Sequence, residues 1–304
     1  MRRRGILLRR FMRGALLSDE LALQHEGLQR RYSVHTPATY RPDYPLPLVI
    51  GLHGGYTSPS RFALTTGFND LADSEEFLVA YPAGCDRHWN DGRPGVNTDI
   101  DDVGFIAKLI TDIKRYRAVD TQRVYAVGIS NGGYMVHRLA SELPNTFAAF
   151  ATVAAALPVT LRVKIHDNTF VSLLMINSRR DKFVPFEGGV SSRGKGGEIL
   201  SIPDTFEFWR QKGNCTREAG SDLTTSAQFF RRQTDEIEVT RYVNPEEGTE
   251  VMLIVLAQGG HTWPGGFQQP RWLVGETSQD IDASQLIWGF FQRHRLVATS
   301  NAHG

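Results

Sequence analysis

The sequence predicts an α/β protein in which a mostly parallel central sheet carries helices on both faces. The first observation is a series of short apolar runs, rich in Val, Ile, Leu or Ala, which are typical of buried parallel strands. These runs lie at 46–52, 77–81, 124–129, 147–157 and 169–176. The second is that 103–113 and 131–143 space their apolar residues at helical intervals. Because strands and helices alternate, consecutive core strands are expected to be parallel.

Further strands are expected at the sides of this core. Residues 29–36 alternate apolar and polar side chains and predict an edge strand. Residues 236–243 and 249–257 predict an antiparallel pair joined by a turn, which leads into the last core strand. A closing helix with its apolar side chains on one face is expected around 281–291.

One domain is expected at 26–296, because an α/β core of this kind uses most of a 304-residue chain. Residues 1–25 are predicted to form a disordered basic leader, and 297–304 a tail. Six arginines and no acid fall within the first 13 positions, but the apolar stretch at 5–8 is short. A signal peptide needs roughly 7–15 apolar residues there, so no secretion signal is recognisable.

The composition excludes several functional classes. Lys and Arg number 34 against 33 Asp and Glu, so the net charge of +1 gives no reason to expect a nucleic-acid partner. Cys85 and Cys215 are too few for a disulfide scaffold or a cysteine zinc site, and whether they pair is left open. No apolar window approaches the length of a membrane span, and no metal or nucleotide motif occurs, so no cofactor is predicted. The sequence does not predict an oligomeric state.

A candidate nucleophile lies in the stretch 124–135, which reads Val-Tyr-Ala-Val-Gly-Ile-Ser-Asn-Gly-Gly-Tyr-Met. Its first half predicts a buried strand and its second half a helix, with the pentapeptide G-x-S-x-G at the junction. Gly128 and Gly132 suit so sharp a turn, because larger side chains there would collide with the backbone. Ser130 is therefore expected to project above the sheet, at a helix N-terminus that favours developing negative charge.

A nucleophilic serine needs a histidine base, and that histidine needs a carboxylate that fixes its tautomer. His261 follows a buried strand in a glycine-rich turn, beyond Ser130 in the chain, so we predict that it is the base. Of the aspartates between them, Asp181 is the one just beyond the carboxyl end of a core strand. Arg179 and Arg180 beside it are expected to keep its carboxyl group ionised.

The tetrahedral intermediate of acyl transfer needs two amide donors. The N–H of Asn131 is predicted as one, and that of Gly55 or Tyr56, after the first core strand, as the other. Of the remaining histidines, His53 is expected to hold this loop in place, and His294 in the terminal helix to be solvated.

Two tryptophans are predicted to form walls of the substrate site. Trp263 comes two residues after the proposed base, and Trp89 lies in a long loop behind a core strand. An ordinary packing role for Trp89 is an equal alternative. Aromatic walls suit a sugar ring, a phenolic acid or an aliphatic polyester alike, so they do not identify the substrate.

Four motifs together match a known family. They are Gly-Ile-Ser-Asn-Gly-Gly at 128–133, Asp-Val-Gly-Phe-Ile at 102–106, Val-Pro-Phe-Glu-Gly-Gly at 184–189 and Gly-His-Thr-Trp-Pro-Gly-Gly at 260–266. In these the chain resembles the poly(3-hydroxybutyrate) depolymerase-like esterases, relatives of feruloyl and acetylxylan esterases, from about residue 29 to 294. The resemblance implies an α/β-hydrolase fold and a serine esterase with the triad Ser130, Asp181 and His261.

The chain departs from the family pattern at two places. Asn177 and Ser178 stand where members often have His-Gly, and the Arg-Tyr stretch at 241–245 lacks the cysteine that members often pair with one like Cys215. The resemblance implies an extracellular or cell-envelope location, but with no signal peptide recognised a cytoplasmic one stays open. No polymer-binding module follows the catalytic domain, which favours a soluble or oligomeric ester over a crystalline polymer.

The sequence therefore predicts a serine carboxylic-ester hydrolase that works through an acyl-enzyme. Its expected substrate is a polyester oligomer of the 3-hydroxybutyrate type, or a feruloyl or acetyl ester of plant polysaccharide. An acyltransferase of the same fold, which passes the acyl group to an alcohol, is the first alternative. A binding protein that retains the fold without activity is the second.

Overall fold

The computed structural model describes residues 18–167, 169–190, 196–219 and 236–296. Its strands are β1 (Ser18–His25), β2 (Leu28–His35), β3 (Leu46–Leu52), β4 (Leu78–Pro82), β5 (Val119–Ile129), β6 (Ala149–Val153), β7 (Leu173–Ser178), β8 (Gly189–Val190), β9 (Glu198–Ile199), β10 (Arg217–Glu218), β11 (Ile237–Asn244) and β12 (Thr249–Leu256). Its helices are α1 (Pro59–Thr66), α2 (Phe68–Glu75), α3 (Asp102–Ile113), α4 (Asn131–Glu142), α5 (Val159–Arg162), α6 (Ile202–Lys212), α7 (Arg271–Val274) and α8 (Ala283–Phe291). A short 3-10 turn spans Cys85–Arg87.

The predicted mostly parallel sheet is confirmed. One sheet has the strand order β1-β2-β4-β3-β5-β6-β7-β12-β11-β10. The six strands from β4 to β12 in this order are mutually parallel, and antiparallel strands complete each side. Because the central strands are parallel, their carboxyl ends all meet at one edge of the sheet, where ligand crevices of such folds lie.

Helices cover both faces, also as predicted. Alternate side chains of β5 enter different cores: Val124 and Ala126 join one, Tyr125 and Val127 the other. Helices α3, α4 and α6 pack on the first face, and α1, α2 and α8 on the second. This two-sided burial explains why the core strands are apolar without the alternation of a half-exposed strand.

The predicted boundary of the basic leader is wrong. Residues 18–25 form β1, which pairs antiparallel with β2, so 29–36 does not form an edge strand either. Leu23 is buried in the core, and the His25 ring bonds the Asp101 carboxylate, so packing and a polar contact both hold this strand. The predicted leader at 1–17 and the predicted tail at 297–304 lie outside the described residues.

The structure also settles what the sequence left open about the cysteines. Cys85 and Cys215 are both free thiols, and burial raises the pKa of each. Within the described ranges, the helices are all too short or too polar to cross a membrane.

Candidate active site

Ser130 lies at the sharp turn between β5 and α4. Its backbone angles, φ 56° and ψ −124°, fall in a region that costs a residue other than glycine on the order of 1–3 kcal/mol. A Cβ on Gly128 would collide with the Gly132 carbonyl oxygen, and a Cβ on Gly132 would collide with the Leu52 carbonyl oxygen on β3. The two glycines therefore permit a turn that larger residues would block.

Asp181 and His261 meet at the carboxyl ends of the neighbouring strands β7 and β12. The imidazole Nδ1 lies 2.8 Å from Asp181 Oδ2, while Asp181 Oδ1 accepts from the backbone amides of Phe183 and Val184 at 2.8 and 3.0 Å. Because a carboxylate only accepts, Nδ1 carries the proton and Nε2 keeps its lone pair. This is the tautomer that a general base needs.

The expected role of the arginines beside Asp181 is wrong. The Arg179 guanidinium pairs with Glu238 at 2.8 Å, and Arg180 is exposed. The carboxylate is stabilised by the two backbone amides instead, which the turn after β7 directs toward it.

The family departure at the end of β7 has a structural role. The Asn177 side chain donates to the Ala155 carbonyl at 3.0 Å, and the Ser178 hydroxyl donates to the Gly259 carbonyl at 2.6 Å. The second bond joins the strand that precedes Asp181 to the loop that carries His261. Asn177 and Ser178 thus hold the acid and histidine loops without the His-Gly pair.

Ser130 and His261 line the same cavity, of about 560 Å³, at this edge of the sheet. Most of the wall is apolar, and it includes side chains that the sequence did not indicate: Phe62, Ile129, Phe183, Leu273 and Val274. No carboxylate lines the cavity within the described part of the chain. The position of Phe183, two residues after Asp181, is a sequence signal that it lies near the site. No sequence motif indicates that the α7 residues Leu273 and Val274 line the cavity.

All three residues predicted as amide donors, Asn131, Gly55 and Tyr56, line the cavity. Asn131 is the first residue of α4, where backbone amides have no partner within the helix. Gly55 lies against His88, whose Nε2 would be 2.9 Å from a Cβ at that position. The Tyr56 amide already donates to the Arg87 carbonyl at 3.0 Å. Of the two candidates for the second donor, Gly55 therefore fits better.

His53 holds the loop that contains Gly55. Its Nδ1 donates to the Gly54 carbonyl at 2.8 Å, and its Nε2 accepts from the Gly84 amide at 3.0 Å. Burial lowers the pKa of His53 to about 4, so the ring stays neutral in this arrangement at neutral pH. These contacts agree with the structural role predicted for it.

The prediction that two tryptophans wall the substrate site is wrong. Trp263 is 1% exposed, packs edge-on against Phe62 and Phe68, and donates its indole N–H to Ser284. Trp89 is fully buried and also lies off the cavity lining. Both indoles turn into the cores, because burial of so large an apolar ring is favoured where the N–H finds an acceptor.

His294, expected to be solvated, is buried. Its Nδ1 lies 3.1 Å from the Ser172 hydroxyl, and its Nε2 lies 3.6 Å from Glu250. This cluster is at the amino ends of β7 and β12, away from the cavity.

In the described ranges, the residues able to gather around a metal ion are His25, Glu26 and Asp101, and they do not line the cavity. Asp101 is already engaged, since it caps α3 by accepting from the Gly104 amide and also bonds His25. The cavity itself presents hydroxyl, imidazole and guanidinium groups rather than a ligand set for a metal.

Comparisons with known proteins relate the chain to esterases. Residues 32–182 match the family model described as Esterase PHB depolymerase. The chain is 28% identical to the protein named "Putative esterase NocK" of Nocardia uniformis subsp. tsuyamanensis, over 87% of this chain and 79% of that protein. It is 27% identical to feruloyl esterase B of Piromyces equi, over 76% of this chain but only 42% of that enzyme.

A solved structure described as native pOPH shares the fold, with a TM-score of 0.50 at 13% identity over 81% of both chains. At that identity the likeness bears on the α/β-hydrolase fold alone. The family match and the esterase relatives lead to one conclusion: residues 32–182 match an Esterase PHB depolymerase domain, and the protein is a carboxylic ester hydrolase.

Proposed function

We propose that the protein is a serine esterase in which Ser130 attacks the ester carbonyl carbon. His261 Nε2 takes the hydroxyl proton, and Asp181 holds the imidazole and stabilises the imidazolium. The amides of Asn131 and Gly55 bind the oxyanion. When the tetrahedral intermediate collapses, the proton passes from His261 to the leaving alkoxide, the alcohol departs, and the acyl group stays on Ser130.

Water completes the cycle by the reverse proton path. His261 takes a proton from a water molecule, whose oxygen attacks the acyl-enzyme carbonyl. Collapse of the second intermediate returns the proton to Ser130 Oγ and releases the carboxylic acid. No cofactor takes part in these steps.

The observation that carries the proposal is the bond between Asp181 and His261 at the edge of the cavity that Ser130 lines. The serine is on the strained strand-to-helix turn that exposes its hydroxyl, and the histidine has the tautomer of a base. The three residue types follow one another in the chain in the order of α/β hydrolases.

The proposed substrate is a 3-hydroxybutyrate-type oligomer, or a feruloyl or acetyl ester of plant polysaccharide. The family description names the first class, and the enzyme from Piromyces equi names the feruloyl class. The cavity is of a size that suits a small acyl group, and its apolar lining would bind an aromatic or aliphatic one.

The test is hydrolysis of p-nitrophenyl butyrate by the wild type and by Ser130→Ala, with unfolding monitored in parallel. We expect the variant to fold normally and to lose hydrolysis. Undiminished hydrolysis by Ser130→Ala would contradict the proposal. A panel of 3-hydroxybutyrate trimer, methyl ferulate and acetylated xylan, assayed on the same preparation, then identifies the substrate class.

A further inference from the structure

Trp89 contacts both backbone segments that supply the proposed oxyanion donors. Its indole Nε1–H donates to the His53 carbonyl at 2.9 Å, in the loop that leads to Gly55. Its backbone amide donates to Asn131 Oδ1 at 2.8 Å, and its carbonyl accepts from Asn131 Nδ2 at 3.1 Å. Trp89 is thus bonded to the loop after β3 and to the first residue of α4.

Both polar atoms of the Asn131 side chain have hydrogen-bond partners. Its second Nδ2 hydrogen goes to Asp91 Oδ2 at 2.6 Å, so both amide hydrogens and the oxygen have partners. Asp91 is in turn held by the Arg93 guanidinium at 2.7 Å, and both side chains are buried. A buried amide whose oxygen and two N–H groups are all bonded is held in one orientation, which restrains the backbone that carries it.

The spacing of the two donors matters for catalysis. Gly55 and Asn131 come from different parts of the chain, and an oxyanion is stabilised only when both N–H groups point at the place where its charge develops. A misplacement of about 1 Å can cost on the order of 100-fold in rate. A residue that bonds to both segments therefore sets a catalytically important distance.

We infer that Trp89 is a positioning residue, which sets the separation of the oxyanion donors Gly55 and Asn131 without touching the substrate. This rests on the proposed serine mechanism. It replaces the substrate-wall role predicted for Trp89, because the indole is buried and off the cavity.

The direct test is Trp89→Phe, which keeps an aromatic ring and both bonds of the Trp89 backbone but removes the bond to His53. The matched control is Trp209→Phe. Trp209, on α6, is also fully buried and lies off the cavity, and its indole donates to His137 on α4 at 3.1 Å. Each variant therefore loses one buried indole hydrogen bond. Only the bond lost in Trp89→Phe reaches the loop that leads to Gly55.

We expect kcat of Trp89→Phe for p-nitrophenyl butyrate to fall about 10- to 100-fold while KM changes less than about 2-fold. Labelling of Ser130 by a fluorophosphonate, which also forms a tetrahedral centre, should slow by a similar factor. Trp209→Phe should lose stability but keep both rates. Equal kcat in the two tryptophan variants, or a loss confined to KM, would overturn the inference.

Asn131→Ala tests the same idea from the other side, and it decides the matter if Trp89→Phe does not fold. It keeps the backbone N–H of residue 131 and removes the three bonds of its side chain. We expect the same selective loss of kcat, and unchanged kcat would refute the inference. In every case Ser130→Ala separates the hypotheses: if it remains active the serine mechanism fails, whereas if it is inactive and Trp89→Phe is normal only the positioning role fails.

Discussion

Two clusters of serine, histidine and carboxylate lie at opposite ends of the neighbouring strands β7 and β12. At the carboxyl ends, Asp181 bonds His261, which lines the cavity together with Ser130. At the amino ends, Ser172 and Glu250 surround His294, and all three are buried. The residue types are alike, so what differs is their surroundings.

The histidines are turned in opposite ways. His261 has its carboxylate at Nδ1, 2.8 Å away, whereas His294 has Ser172 at Nδ1 and its carboxylate at Nε2, 3.6 Å away. Ser172 also accepts from the Glu250 amide at 3.3 Å. Ser172 and His294 are only 3% and 6% exposed, so both side chains are buried away from solvent.

The carboxylates differ as well. Asp181 is bound by two backbone amides and one histidine, but Glu250 accepts from the guanidinium groups of Arg241 and Arg293 at 2.5 Å each. Burial alone would raise the pKa of Glu250, yet the contacts with His294 and Arg293 outweigh it and hold the pKa at about 2. The comparison teaches that a strained turn and an open cavity, rather than residue identity, distinguish a candidate reaction site from a structural ion cluster.

The largest expected contrast is between the two serines. Ser130→Ala should reduce kcat on the order of 10⁴-fold or more, since the nucleophile is lost. Ser172→Ala should keep kcat within about 2-fold and cost about 1 kcal/mol of stability through its lost hydrogen bonds. Rates on p-nitrophenyl butyrate and urea unfolding of both variants check this, and a large kcat loss in Ser172→Ala would reverse the assignment.

The two carboxylate variants should differ in the property that they lose, one losing activity and the other stability. Asp181→Asn is expected to lower kcat about 10³- to 10⁴-fold with little unfolding, because the amide no longer holds the His261 tautomer. Glu250→Gln should keep kcat in the folded fraction and lose about 3–5 kcal/mol, since two arginines are left without their charge partner.

A surface control sharpens the second half of that prediction. Glu238 pairs with Arg179 at 2.8 Å but is more than half exposed, so Glu238→Gln should cost less than about 1 kcal/mol. Equal destabilisation by Glu250→Gln and Glu238→Gln in urea would show that the buried cluster contributes nothing special.

The last prediction concerns the pH dependence of stability. The folded pKa of Glu250, about 2, lies below its ordinary value of 4.5, so the unfolded chain takes up this proton first as pH falls. The stability contributed by its charge is fully present above pH 4.5 and is lost toward pH 2. The gap in unfolding free energy between wild type and Glu250→Gln should therefore shrink by up to ~3 kcal/mol over that range. A gap that stays constant would contradict the assigned pKa.

The sequence predicted the fold well for two reasons. Strands buried on both faces appear in the sequence as apolar runs. The turn at Ser130 requires Gly128 and Gly132, because a Cβ at either position would collide with the backbone. The sequence also predicted the pair Asp181 and His261, which follow strands whose carboxyl ends must meet. It could not predict where side chains point. Trp89 and Trp263 turn inward, Arg179 turns to Glu238, and His294 is buried, since each depends on acceptors supplied by distant segments.

The strand β1 was missed for a related reason: its alternation is weak beside the arginine-rich start, and its partners β2 and α3 come later in the chain. The part of the cavity wall that α7 forms has no sequence motif that would predict it. Tertiary contacts, rather than local pattern, determine these features.

The central claim of the proposed mechanism is that Ser130, and not Ser172, is the nucleophile. The most direct measurement is to label the protein with a fluorophosphonate, digest it with trypsin and locate the adduct by mass spectrometry. We predict the adduct on the peptide 124–138, which contains Ser130, and full loss of labelling in Ser130→Ala. An adduct on the peptide 165–179, which contains Ser172, or undiminished labelling of Ser130→Ala, would contradict the account.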